Sequence, residues 1–236
     1  MNIVRRKLQA IIDDCYIDYI YDIFPQDRRM NVIKDAGIIG MNTENMQFFI
    51  NETVKKFCYQ GTYMEVGVFQ GSMLCSAALY NKHTRCIGID NFSQFDKDGI
   101  NHGILKSNIN KLKLANVDFH NLDYKTAIKE LFEREPNLKV DVYYYDGNHS
   151  AKDQYDGLDV MKDHLADDCV VLIDDINWRH VEKATDKWLL DNPDFRLFQK
   201  IRFSPILIDK KSNKEFNHSL GNWWNGFYVI YREGKK

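Results

Sequence analysis

Two segments of the chain carry the side chains best suited to chemistry. Tyr143-Tyr144-Tyr145-Asp146-Gly147-Asn148-His149 and Val170-Val171-Leu172-Ile173-Asp174-Asp175 each run from apolar residues into acidic ones. If these runs are neighbouring parallel strands, their C-terminal ends share one edge, and Asp146, Asp174 and Asp175 converge there. Three carboxylates in one place repel each other and raise one another's pKa unless a cation sits among them. An all-oxygen set suits Mg²⁺, Mn²⁺ or Ca²⁺ better than zinc or copper. His149 stands three residues beyond Asp146, near enough to face the same cavity as a base. Each residue also has an ordinary structural explanation: Asp-Gly is a turn signal, Asp-Asp at a strand end is often solvated, and a lone His is usually structural. Their joint placement on two strand ends favours a metal site at Asp146, Asp174 and Asp175 with His149 beside it.

The segment Glu65-Val66-Gly67-Val68-Phe69-Gln70-Gly71-Ser72 follows an apolar run and opens a helical pattern, the place where ligands meet backbone amides. A dinucleotide fingerprint beginning at Gly67 requires glycine at 69 and 72, where Phe69 and Ser72 stand. A bulky side chain there obstructs a pyrophosphate. S-adenosylmethionine has no phosphate, and its methionine end can be held by amides around Gly67, Gly71 and Ser72 and by Glu65. Asp90 ends the next apolar run, 19 positions after Gly71, close to the separation of about 20 at which a carboxylate meets a ribose diol. Asp123, after the third run, is a weaker candidate for the adenine end, because helix N-caps are very often Asp.

These residues need elements to position them. From Thr62 the pattern alternates short apolar strands, TYMEV, RCIGID, VDFHN, VDVYYYD and CVVLIDD, with helical stretches, which predicts a parallel sheet covered on both faces. FRLFQKI and GFYVIYR follow without a crossover helix between them, so they run antiparallel. The expected fold is α/β and Rossmann-like, the class I methyltransferase architecture, with a mostly parallel sheet and a C-terminal antiparallel strand. Before it, helical spacing from Ile3 to Tyr19 and a helix capped by Thr43 and running to about Cys58 predict an N-terminal helical layer or lid. One domain over 1–236 is expected, divided into 1–60 and a core of 61–236.

Charge argues against nucleic acid as a partner: 32 Lys+Arg against 34 Asp+Glu leave a net charge of −2. Five cysteines without a C-x-x-C pair read as reduced core residues of a cytoplasmic protein. No apolar stretch reaches the roughly 20 residues of a membrane span, and Asp13, Asp14 and Asp18 interrupt any signal-peptide core.

EVGVFQGS, CIGID, YYYDGNHSAKDQYDGLD and VVLIDDINW together resemble the macrocin and mycinamicin type of sugar O-methyltransferase and, more distantly, catechol O-methyltransferase, over roughly residues 60 to 180. The resemblance implies that Asp146, Asp174 and Asp175 bind a divalent metal, that His149 is the general base, and that Asp90 holds the cofactor ribose. It implies a small hydroxylated acceptor and, because many relatives associate through N-terminal helices, a homo-oligomer. Two other readings stay open: a metal-independent methyltransferase acting on nitrogen or carbon, and a cofactor-binding protein without catalysis. Trp223, Trp224, Phe227 and Tyr228 can line an acceptor pocket, although aromatic residues of terminal strands more often pack the core.

Overall fold

The computed structural model describes residues 3–21, 28–201, 208–209, 214–215 and 225–234. Strands β1 (Thr62–Val66), β2 (Arg85–Ile89), β3 (Val117–His120), β4 (Val140–Tyr145), β5 (Leu165–Ile173) and β6 (Phe195–Ile201) follow the helical N-terminal region. A two-residue ladder of β7 (Ile208–Asp209) and β8 (Lys214–Glu215) precedes β9 (Phe227–Arg232). Seven strands form one sheet in the order β3-β2-β1-β4-β5-β9-β6. The first five are parallel, and β9 runs antiparallel to both of its neighbours, β5 and β6. The expected antiparallel pair is therefore present, and its last strand inserts between β5 and β6. The expected α/β class holds.

Alternation along the strands sorts side chains into two layers. Tyr63, Val142, Tyr144, Val170, Leu172, Val229 and Tyr231 share a buried cluster on one face; Met64, Val66, Tyr143, Tyr145, Val171, Ile173 and Ile230 share one on the other. Each large apolar side chain so buried contributes roughly 1.5–3 kcal/mol. The first face is covered by α1 (Ile3–Tyr21), α3 (Glu44–Phe57) and α4 (Ser72–Ala78), through Leu8, Phe49 and Leu74 among others. Thr43 caps α3 by accepting the Met46 N–H at 3.3 Å, and Phe49 meets Phe227 edge to face at 5.8 Å. Helices α6 (Tyr124–Arg134), α7 (Ala151–Asp159) and α8 (Arg179–Asp191) cover the second face. Short α2 (Asn31–Asp35) and α5 (Asn101–Lys111) complete the helices.

Phe227 and Tyr228 belong to this core: both are buried, and the Tyr228 hydroxyl donates to Asp186 Oδ1 at 2.6 Å. They do not line an acceptor pocket, whereas Trp223 and Trp224 lie outside the described residues. Cys58, Cys75, Cys86 and Cys169 are buried free thiols, and burial is the first cause that raises each of their pKa values. Among the described residues no helix is long and apolar enough to cross a membrane.

The chain runs outward from β1 to β3, then returns to place β4 on the other side of β1. Strand order reverses between β1 and β4, and in open α/β sheets ligands bind in the crevice at the carboxyl ends beside such a reversal. Gly67 leaves β1 and Asp146 leaves β4 at that point.

Candidate active site

The turn after β1 is built from left-handed backbone. Gly67, Phe69 and Gly71 have φ of 88°, 51° and 87°. A Cβ on Gly67 would lie 1.8 Å from the Asp146 carbonyl oxygen, so glycine is demanded by both conformation and close approach. Gly67→Ala is expected to lower stability by about 2 to 4 kcal/mol, through a positive φ and steric overlap, and to weaken cofactor binding. Thermal unfolding checks it; wild-type stability would show that the β1 and β4 ends separate at little cost.

Glu65 and Ser72 flank this turn in the same small crevice as Gly67. Glu65 is buried, burial pushes its carboxyl well above the usual range, and the Tyr63 hydroxyl donates to Oε2 at 2.6 Å, opposing that shift. Ser72 Oγ donates to Asn42 Oδ1 and accepts from Gln47 Nε2, each at 3.1 Å. Asn42 and Gln47 belong to the N-terminal region, as does Met41, which lines the crevice and the larger cleft beside it. The sequence reading missed these three, because nothing in their spacing marks a contact made 25 to 30 residues along the chain.

A cleft of about 320 Å³ opens along the strand ends, lined by Gly67, Asp90, Asp123, Asp146, His149 and Asp175 among others. That volume is at the lower end of small-molecule sites. Asp90 accepts the Phe69 N–H at 2.8 Å on Oδ2 and the Phe92 N–H at 2.7 Å on Oδ1, tying the first turn to the loop after β2. Each oxygen keeps a lone pair for a further donor. Asp123 caps α6, accepting the Lys125 and Thr126 N–H groups at 3.0 and 3.4 Å, and also borders the cleft. It thus has an ordinary capping role in addition to its place on the cleft wall.

Beyond β4 and β5, Asp146, His149 and Asp175 offer ligand atoms that all lie within 4.8 Å of one another. His149 Nε2 is 2.9 Å from Asp175 Oδ2 and 3.5 Å from Asp146 Oδ1. Burial disfavours the imidazolium, but the hydrogen bonds it donates to Asp146 and Asp175 outweigh that and push the His149 pKa up to about 10. Loss of water around Asp146 is the main cause that raises its pKa to about 7; Asp175 adds to the rise and His149 opposes it. Asp175 has φ 58°, is 6% exposed, and its Oδ1 is buried without a hydrogen-bond partner. Leaving a buried acceptor unsatisfied costs about 1–3 kcal/mol, so a cation-sized partner fits there.

Asp174 does not join this group. Its Oδ2 accepts from the buried Tyr144 hydroxyl at 2.6 Å and its Oδ1 from the Asp175 N–H at 2.8 Å. The structure thus brings two of the three expected aspartates together with His149 and ties Asp174 to Tyr144. Trp178, also missed although it ends the DDINW motif, stands edge to face on His149 at 5.1 Å and lines the cleft.

Residues 64–176, from β1 to just past the acidic pair, match a family model described as a methyltransferase domain. An O-methyltransferase from Bacillus cereus solved with S-adenosylhomocysteine superposes with a TM-score of 0.64 at 11% identity, over 96% of this chain and 100% of that one. The O-methyltransferase TomG from Streptomyces achromogenes, involved in tomaymycin synthesis and solved with S-adenosylmethionine, gives 0.61 at 13%, over 94% and 96%. CalS11, a TDP-rhamnose 3'-O-methyltransferase of calicheamicin biosynthesis, gives 0.55 at 16%, over 98% and 94%. No curated protein matches the chain in sequence. The solved structures share this chain's fold, and residues 64–176, which carry the Gly67 turn, Asp90, Asp146 and the acidic pair, match a methyltransferase domain.

Proposed function

We propose that this protein methylates a hydroxyl group of a small molecule such as a sugar or natural product, with a divalent cation, Mg²⁺ in the first instance, held at Asp146 and Asp175. The observation that carries this reading is the convergence of Asp146, His149 and the unsatisfied Asp175 oxygen beside the Gly67 turn. That the B. cereus, S. achromogenes and calicheamicin enzymes are O-methyltransferases supports oxygen as the acceptor atom.

In this reading Gly67, Gly71, Ser72 and Glu65 hold the methionine end of the cofactor, Asp90 accepts from its ribose hydroxyls, and Asp123 borders the adenine. A bound divalent cation supplies Lewis acidity that lowers the pKa of the acceptor hydroxyl. His149 takes the hydroxyl proton at Nε2, and the oxygen attacks the sulfonium methyl carbon in line, forming a C–O bond as the C–S bond breaks. Asp175, with Oδ2 2.9 Å from Nε2, stabilises the imidazolium once the proton has arrived. Asp174, tied to Tyr144, fixes the Asp175 backbone in its left-handed conformation. Two protein carboxylates with several waters suit Mg²⁺.

The test is methyl transfer from S-adenosylmethionine to a panel of sugars and diols, followed by mass spectrometry with and without Mg²⁺. Transfer at full rate after chelation would hand the lead to the metal-independent reading. Asp90→Ala is expected to weaken cofactor binding by about 1.5 to 3 kcal/mol, the scale of a lost charge-assisted hydrogen bond. Unchanged affinity in a folded variant would remove Asp90 from the cofactor site.

A further inference from the structure

Six aspartates, Asp90, Asp123, Asp146, Asp153, Asp174 and Asp175, line the cleft, and among the described residues no lysine or arginine does. Of the basic residues next in sequence to its walls, Lys125 and Lys152 pair with Asp156, outside the lining, and Arg179, which follows Trp178, is exposed on α8 and does not line the cleft. Phosphate and carboxylate groups are recognised by arginine, lysine or clustered N–H donors, and like charges at contact distance are repelled. A cationic cofactor and one divalent cation offset only part of the charge such a lining carries. The cleft wall also carries large apolar side chains that remain open to solvent: Met41 at 41%, Phe95 at 70%, Leu122 at 37% and Trp178 at 45% exposure. Solvent-facing apolar residues gathered at one cleft mark a binding surface. Trp178 is fixed relative to the reacting group, because its N–H donates to the Asp175 carbonyl at 3.0 Å and its indole stands against the His149 ring.

The geometry points to an acceptor that carries no phosphate or carboxylate and lays an apolar face on Trp178, beside the hydroxyl that His149 serves. Resting on the methyltransferase reading, it narrows the substrate class. Because no lysine or arginine stands in the lining among the described residues, the proposal leaves out nucleotide sugars, the TDP-rhamnose of the calicheamicin neighbour included.

The experiment is calorimetric titration of the full chain loaded with S-adenosylhomocysteine and Mg²⁺. The probes are 4-ethylcatechol (neutral), dopamine (cationic), 3-(3,4-dihydroxyphenyl)propanoate (anionic) and TDP-rhamnose. The neutral and cationic diols are expected to bind, the anionic diol at least about tenfold more weakly, and TDP-rhamnose without measurable heat. Trp178→Ala is expected to weaken the neutral diol about tenfold, with Trp178→Phe restoring most of the loss. Equal or tighter binding of either anionic probe overturns the proposal. So does binding of none of the diols by protein that still binds S-adenosylhomocysteine, or indifference of the neutral diol to Trp178→Ala. Failure of S-adenosylhomocysteine itself to bind defeats the underlying reading instead.

Discussion

His149→Ala is expected to slow methyl transfer by about 10² to 10⁴, the usual contribution of a positioned general base, while cofactor affinity stays unchanged. A hydroxyl of high pKa cannot attack a sulfonium at neutral pH unless its proton leaves before or during transfer. Imidazole suits that task only when neutral. In the metal-free cluster it is not neutral: the flanking carboxylates hold its pKa near 10. A cation between Asp146 and Asp175 cancels that pull and returns the base to its working form. The effect of pH has a definite sign. Turnover rises with pH as His149 loses its proton, and the alanine variant loses this limb. His149→Gln separates chemistry from positioning, since glutamine can hydrogen-bond Asp175 but cannot accept a proton. A glutamine variant as slow as alanine supports the base. Near-normal rates with an unaltered pH profile in either variant would sink it, leaving the methyltransferase class in place.

Much of the sheet was legible because its central strands carry apolar runs, VYYY in β4 and CVVLI in β5, that are buried on both faces. TYMEV and FRLFQKI coincide with β1 and β6 to the residue. The position of β9 was not legible, because insertion between β5 and β6 depends on pairing across the sheet, and a local pattern gives only the antiparallel sense. Asp90, Asp123, Asp146 and His149 fall on the cleft because each follows directly from a strand end. Asp174, expected among the metal ligands, stands apart from Asp146, His149 and Asp175, and a period of two accounts for its place. It has the parity of Val170 and Leu172, which share a face with Tyr144, and that hydroxyl meets its carboxylate. Asp175 escapes the alternation only because φ turns positive there, which no residue type at 175 announces. Asn42, Gln47 and Trp178 show the other limit: their contacts come from packing between distant segments and around a turn.

Adding Mg²⁺ to chelator-treated protein at pH 8 is expected to release about one proton per cation, because ligands and their neighbours must give up protons for a metal to bind. Two groups set the window. Asp146, raised to about 7, is increasingly neutral below that pH and then offers no charge to a cation. His149, raised to about 10, is an imidazolium at pH 8 and repels one. Affinity therefore climbs with pH, first as Asp146 ionises and then, by up to tenfold per pH unit, until His149 has lost its proton near 10. Calorimetry in buffers of different ionisation enthalpy counts the proton directly, independent of turnover. His149→Gln is expected to bind Mg²⁺ more tightly at pH 8 if the histidine is only the base, or more weakly if it is a ligand, and in both cases to release no proton. Asp175→Asn is expected to abolish binding, since it removes the charge of the buried carboxylate whose Oδ1 has no hydrogen-bond partner. Retained Mg²⁺ affinity in Asp175→Asn, or pH-independent binding by the wild type, would move the cation elsewhere and leave Asp146, His149 and Asp175 as a hydrogen-bonded group that orients the acceptor.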